Sequence, residues 1–115
     1  MDDDQHQQEA TVAEPKGKRI ISATVAHQVS GMLEEVTRAG GTAAEIQIDG
    51  YTLAGKTGTA TNPAGRSHAW FVAFAPAESP RVAVAIVVEN AGYGGAVAAP
   101  IARRVLAAAL RVPRG

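Results

Sequence analysis

The chain has 115 residues, with 11 acidic and 11 basic side chains, so its formal net charge is zero at pH 7. This length fits one domain, and the balanced charge leaves no global field to attract nucleic acid or an anionic membrane. Aromatic residues make up only 4% of the chain and cysteine is absent, which argues against base-stacking platforms and excludes disulfides and thiolate metal sites.

The N-terminal stretch lacks the pattern of a folded or exported segment. Residues 1–9 are polar and acidic, which predicts a disordered tail rather than a signal peptide. No apolar run approaches the ~20 residues that cross a bilayer, so the chain itself is expected to be soluble, or a soluble piece of a protein anchored elsewhere.

The folded part is predicted to span residues 10–112. It begins with a hairpin, whose strands are residues 11–13 and 19–21 and whose turn contains Pro15 and Gly17.

A helix is predicted next, with Ser22 as its N-cap and the glycine pair 40–41 as its end. Gly31 interrupts this helix, which suggests a close approach by another element. The apolar side chains recur with helical spacing and predict one buried face: Val25, Val29, Met32, Leu33 and Val36.

Three antiparallel strands (51–60, 68–75 and 82–89) and a closing helix over residues 96–110 complete the pattern. The second strand is apolar throughout, which predicts burial on both faces. On the third strand, Ala83, Ala85 and Val87 share one face, and its small residues are expected to let a helix pack close. The fold class is therefore α+β, an antiparallel sheet flanked by helices, with one helix covering each face.

The central segment matches a phosphate-loop pattern, because residues 50–57 read G-x-x-x-x-G-K-T. A phosphate loop needs a tight turn followed by a helix. Here the residues before Lys56 are typical of a strand, and the residues after Thr57 include Gly58 and Pro63, which do not begin a helix. A nucleotide-binding function is therefore the least favoured interpretation.

Read as a strand, the same segment offers a different chemistry. Side chains alternate, so Lys56 and Gly58 share one face and Thr57 and Thr59 share the other. An edge strand can pair with an extended peptide, and glycine lets a ligand approach closely. A lysine beside threonine hydroxyls suits a carboxylate, and the N–H after the glycine can help to hold an oxyanion.

The Lys-Thr-Gly motif is one of three signatures of penicillin-binding proteins and serine β-lactamases. Together with its neighbours, this chain resembles the C-terminal part of the transpeptidase domain of class B penicillin-binding proteins, above all the A-type proteins of high-GC Gram-positive bacteria. The resemblance covers residues 10–110, which would make the chain a single incomplete domain. The runs that carry it are residues 41–44, 54–60, 68–76, 82–90 and 94–102.

The resemblance implies a D,D-transpeptidase that cross-links peptidoglycan at the extracytoplasmic face of the cell membrane and is a target of β-lactams. It implies catalytic roles for Lys56, beside the serine of the middle motif, and for Thr59, whose N–H would form half of an oxyanion hole. Thr57, Gly58 and Thr59 would bind the D-Ala-D-Ala end of a stem peptide or a β-lactam. Neither a metal nor a cofactor is implied, and nucleic acid is not an expected partner.

The chain departs from the family at the nucleophile. None of its serines (Ser22, Ser30, Ser67 and Ser79) is followed by lysine three residues later or by asparagine two residues later. Without Ser-x-x-Lys and Ser-x-Asn, the chain alone is predicted to be inactive toward substrate and penicillin. An alternative function is a non-catalytic peptide-binding module on the same fold.

The family fold also predicts an incomplete sheet. The strand over residues 82–89 would pair there with N-terminal strands that this chain lacks, and a bare apolar edge invites pairing. The expected partner at this edge is the missing N-terminal part of the domain, a second copy of the chain or a rearranged N-terminal segment.

Overall fold

The structure is a computed structural model that describes residues 16–38 and 40–111. Its elements follow the predicted order and confirm the α+β class. A first helix is followed by three strands and a second helix: α1 (Ala23–Glu35), β1 (Ala54–Ala60), β2 (His68–Ala75), β3 (Val82–Val88) and α2 (Gly94–Leu110).

The strands form one antiparallel sheet in the order β1-β2-β3. Across β1 and β2, Lys56 lies opposite Val72 and Thr57 lies opposite Phe71. Across β2 and β3, Phe71 lies opposite Ile86. Because β2 is central, both β1 and β3 are edges of the sheet that the described residues form.

The core lies between α2 and one face of the sheet. Phe71 of β2 and Leu106 of α2 are its largest fully buried side chains. Small residues separate them and let the helix lie close to the strands. The buried alanines on the two elements are Ala69, Ala73 and Ala75 of β2, and Ala98, Ala99 and Ala102 of α2.

Within residues 16–38 and 40–111, no element covers the opposite face of the sheet, contrary to the prediction that β2 is buried on both sides. Trp70 and Val72 of β2 are 42% and 44% exposed, and Val87 of β3 is 46% exposed. The small face of β3, with Ala83 and Ala85, also lies on this side and receives no helix. Helix α2 instead packs on the valine-rich face of β3, because the buried alanines of β2 provide the room there. We call this uncovered surface the open face.

Helix α1 begins as predicted but does not bury its apolar stripe. The hydroxyl of Ser22 accepts a hydrogen bond from the Val25 N–H at 3.1 Å, as an N-cap does. No residue of α1 is buried, and Met32 is 67% exposed. The helix packs along β1 and does not cover the sheet face, so the prediction of one helix per face was wrong. The close approach expected at Gly31 is also absent, since no described residue lies within 4 Å of the position of a Cβ atom there.

The segment before α1 differs from the predicted hairpin. Residues 19–21 form no strand, and the Arg19 guanidinium donates a hydrogen bond to the Ile21 carbonyl at 3.0 Å. Ile20 is 90% exposed, so no packing holds this segment in a strand. The other predicted strand, over residues 11–13, and the predicted tail over residues 1–9 lie outside the described residues.

Length and hydropathy exclude a membrane-spanning role for α1 and α2. Within residues 16–38 and 40–111, neither α1 nor α2 is both long and apolar enough to traverse a bilayer.

Candidate functional site

The Lys-Thr-Gly-Thr motif lies in β1, at the edge of the sheet, as the strand interpretation predicted. Thr57 and Thr59 lie opposite Phe71 and Ala69, which face the core, so both threonines are on the α2 side. Thr57 is half-buried and Thr59 is exposed. The strand therefore presents two hydroxyl-bearing side chains on one side of a sheet edge.

Lys56 lies on the other side of β1, where the open face begins. Its side chain is exposed, and its ammonium group donates a hydrogen bond to the Thr57 carbonyl at 3.0 Å. Gly58 follows on the same face, opposite Trp70, where an added Cβ would lie 3.3 Å from the Trp70 Cβ. The positive charge thus sits across the strand from the two threonine hydroxyls.

The phosphate-loop interpretation is contradicted by this geometry. Lys56 and Thr57 are inside a regular strand, paired with Val72 and Phe71. A loop and β2 follow that strand, rather than a helix. The motif therefore does not lead into a helix whose first N–H groups could hold phosphate, as the glycine-rich turn of a phosphate loop does.

The segment that enters β1 is anchored from two sides. The buried Thr37 hydroxyl, just after α1, donates to the Leu53 carbonyl at 2.9 Å. Thr52 binds the β2–β3 turn, because its carbonyl accepts from the Ala77 N–H at 2.8 Å and its hydroxyl donates to the Glu78 carboxylate. That hydroxyl holds the pKa of Glu78 below its ordinary value. These contacts fix where β1 begins.

The far end of β1 is held by contacts between two loops. Asn62, in the β1–β2 loop, donates to the Asn90 side-chain carbonyl at 2.5 Å. The Asn90 N–H donates in turn to Nδ1 of His68 at 3.0 Å. The Gly92 N–H, in the loop before α2, donates to the Ser67 carbonyl at 2.9 Å. The loop after Thr59 is therefore connected to the loop that leads into α2.

The start of α2 presses directly against the motif. A Cβ on Gly94 would lie 2.1 Å from the Trp70 carbonyl oxygen and 2.6 Å from the Gly58 carbonyl oxygen. A Cβ on Gly95 would lie 2.7 Å from the Thr42 carbonyl oxygen and 3.5 Å from the Thr57 methyl group. Only glycine fits this approach, so the glycine pair lets α2 begin beside the motif strand.

A third segment reaches the motif from the turns after α1. The Oγ1 atoms of Thr42 and Thr57 are 3.3 Å apart, and either hydroxyl could be the donor. Thr42 is exposed, while its neighbour Ala43 is buried. The hydroxyl of Thr57 thus has a partner before any ligand arrives.

Sequence reasoning found the motif but gave no role to Thr42, Gly94 or Gly95. The glycine pairs at 40–41 and 94–95 were the available signal, since paired glycines often mark a close backbone approach. Nothing in the local pattern indicates that Thr42 meets Thr57, because this contact depends on the turns between α1 and β1.

Residues 4–107 match the family model described as the penicillin binding protein transpeptidase domain. The chain is 43% identical over 114 residues to the peptidoglycan D,D-transpeptidase PbpA of Mycolicibacterium smegmatis, an alignment that covers 89% of the chain and 22% of that protein. It is 38% identical over 108 residues to the probable peptidoglycan D,D-transpeptidase PenA of Neisseria flavescens, covering 85% of the chain and 27% of that protein.

Solved structures of penicillin-binding proteins are also similar to this chain. Penicillin-binding protein A from M. tuberculosis, in its imipenem acyl-enzyme complex, aligns with a TM-score of 0.75 at 39% identity, covering 89% of this chain and 23% of that one. The chain thus spans about a quarter of the length of the relatives that it matches. With a family match over most of its length, the chain belongs to the penicillin-binding protein transpeptidase domain family.

Proposed function

We propose that this chain supplies the Lys-Thr-Gly wall of the acyl-serine site of a D,D-transpeptidase that cross-links peptidoglycan. The observation that carries the proposal is the position of residues 56–59 on an edge strand, in a chain of this family. The relatives are named as peptidoglycan D,D-transpeptidases, and one neighbour was solved as a β-lactam acyl-enzyme, which supports the reaction class.

Each motif residue has a role that its chemistry supports. The hydroxyls of Thr57 and Thr59 donate to the terminal carboxylate of D-Ala-D-Ala or of a β-lactam, because a carboxylate only accepts hydrogen bonds. Gly58 leaves room for the ligand backbone along the strand edge. The Thr59 N–H stabilises the oxyanion that forms when the acyl carbonyl is attacked. Lys56 places a positive charge beside the attacking serine.

Neither serine motif of the family occurs in these 115 residues, so we assign the attacking serine to the remainder of the domain. No serine in the chain has lysine at the third position after it, and no Ser-x-Asn sequence is present. An acyl-enzyme needs an activated nucleophile, and binding groups alone do not form the covalent bond. The chain alone therefore forms no penicilloyl adduct.

The partner is the remainder of the transpeptidase domain. The open face exposes Trp70, Val72 and Val87 together, and a contiguous apolar patch marks an interaction surface. The β3 edge next to it is unpaired among the described residues, which offers strand addition. In the assembled protein this domain lies at the extracytoplasmic face of the membrane, where peptidoglycan is made.

A reconstitution experiment tests this function. The chain is mixed with the remainder of the M. smegmatis PbpA transpeptidase domain, labelled penicillin is added, and intact masses are measured. We expect an adduct on the added polypeptide only in the mixture, and a lower rate with Thr57→Val. An adduct on the chain alone would contradict the assignment of the nucleophile.

Reconstitution and three further measurements distinguish the alternative functions. If mixing fails to restore acylation while the chain still binds a D-Ala-D-Ala peptide, the chain is a non-catalytic peptide-binding module. Sedimentation of the chain alone shows whether a second copy occupies the β3 edge. Thermal stabilisation by ATP with Mg²⁺ would support the nucleotide-binding interpretation, and we expect no such stabilisation.

A further inference from the structure

We propose that Thr42 is a positioning residue that donates its hydroxyl hydrogen to Thr57 and so directs the Thr57 hydroxyl toward the substrate carboxylate. This inference rests on the proposed function, in which Thr57 binds that carboxylate. The residue lies outside the Lys-Thr-Gly motif and reaches it from the turns that follow α1.

The contact leaves two arrangements of the hydroxyl hydrogens. The two Oγ1 atoms are 3.3 Å apart, and a hydroxyl carries one hydrogen and two acceptor lone pairs. If Thr57 donates to Thr42, its hydrogen is occupied and its lone pairs face a carboxylate unfavourably. If Thr42 donates, the Thr57 hydrogen remains available. A carboxylate ligand therefore selects the arrangement in which Thr42 is the donor.

The backbone around Thr42 is held in place, so its hydroxyl is directed before a ligand binds. Gly41 has no room for a side chain, since a Cβ there would lie 2.4 Å from the Val36 carbonyl oxygen. The Ala43 N–H donates to that same Val36 carbonyl at 2.8 Å. On the other side, the Thr42 carbonyl faces Gly95 of α2, where a Cβ would lie 2.7 Å from it.

This fixed geometry also strengthens the proposed contact with the carboxylate. A hydroxyl that accepts one hydrogen bond becomes a better donor for the next, because the bonds polarise one another. The sequence Thr42 O–H, Thr57 O–H and carboxylate forms such a series.

A titration of the ¹⁵N-labelled full chain tests the inference. The probes are N-acetyl-D-Ala-D-Ala and its methyl ester, which lacks the negative charge, and the amides of Thr57 and Thr59 are followed by NMR. The variants are Thr42→Val, which keeps the shape without the hydroxyl, Thr42→Ser, which keeps the hydroxyl, and Thr57→Val. For each variant, the quantity compared is the affinity for the acid divided by the affinity for the ester.

We expect the acid to bind more tightly than the ester, and Thr42→Val to lower this ratio by about two- to tenfold, the effect of one hydrogen bond. Thr42→Ser should restore the ratio. In the Thr57→Val background, Thr42→Val should have no further effect, since its action passes through Thr57. A purely structural role would instead weaken acid and ester equally.

The titration distinguishes a failure of the proposed carboxylate site from a failure of the proposed role of Thr42. If Thr57→Val leaves the ratio unchanged, or the chain shows no preference for the acid, the carboxylate site is wrong and this inference falls with it. If Thr57→Val lowers the ratio and Thr42→Val does not, the carboxylate site stands and the role of Thr42 is overturned.

Discussion

Gly94, the first residue of the closing helix, packs directly against the sheet. The atoms that a Cβ would meet are the carbonyl oxygens of Trp70 and Gly58, 2.1 and 2.6 Å away. Both belong to paired strands, so neither can move as the end of a flexible side chain would. Because Gly94 has no side chain, α2 can lie against the backbone of Gly58 without displacing the motif strand.

Replacing Gly94 by alanine should destabilise the chain by about 2–3 kcal/mol, the upper part of the range for overpacking, because backbone atoms must shift. Gly31→Ala is the matched control, since none of the residues that the structure describes lies within 4 Å of a Cβ at that helical position. It should stabilise the chain by about 1 kcal/mol through helix propensity. Urea unfolding of both variants measures these effects, and equal changes in the two would contradict the proposed close packing.

At this scale the sequence predicts the chemistry of residues better than their contacts. Lys56, Thr57, Gly58 and Thr59 were predicted on an edge strand with alternating faces, and the structure confirms that placement. The contact of Thr42 with Thr57 was not predictable, because it joins residues 15 positions apart through irregular turns. Local patterns report which side a residue occupies on its own element, and not which segment meets it there.

Helix α1 depends on its ends more than on its packing. It has 13 residues, none of them buried, and isolated helices of that length are marginal in water. The Ser22 hydroxyl satisfies one of the free N–H groups in its first turn. Thr37, just beyond its end, connects it to the segment before β1.

Ser22→Ala should therefore weaken α1 by about 1 kcal/mol, the usual cost of losing an N-cap. Ser30→Ala, inside the same helix, changes the same atoms without removing a cap and should slightly stabilise it, because alanine is the better helix former. Amide hydrogen exchange within α1 measures both effects. Faster exchange in Ser30→Ala than in Ser22→Ala would refute the role of the cap.

Except for residues 19–21, which form no strand, the described elements were predicted from periodicity, and their order and type are confirmed. Their coverage was not, because an apolar alternation shows which side chains avoid water and not what covers them. Both faces of β2 are apolar in sequence, yet Phe71 is fully buried while Val72 is 44% exposed. The apolar stripe of α1 misled in the same way, since Val25 and Val29 are each 42% exposed.

At the scale of the whole molecule, these exposed surfaces lie next to each other. An apolar groove runs between α1 and the open face, lined by Leu33 of α1, Val72 and Phe74 of β2, and Ala83 and Ala85 of β3. Isolated exposed apolar residues are ordinary, but a continuous groove between two elements is not. This groove belongs to the surface on which, under the proposed function, the remainder of the transpeptidase domain docks.

Ala85→Asp tests this docking surface without touching β1. Ala85 is exposed in the chain alone, so the substitution should change the free energy of unfolding by less than about 1 kcal/mol. On docking, the new carboxylate would be buried in an apolar groove, which is costly. We therefore expect its affinity for the remainder of the domain, measured by calorimetry, to fall at least about tenfold (~1.4 kcal/mol). Ala108→Asp, an exposed alanine on α2 across the sheet, is the control and should leave affinity unchanged; equal losses in the two variants would place the docking surface elsewhere.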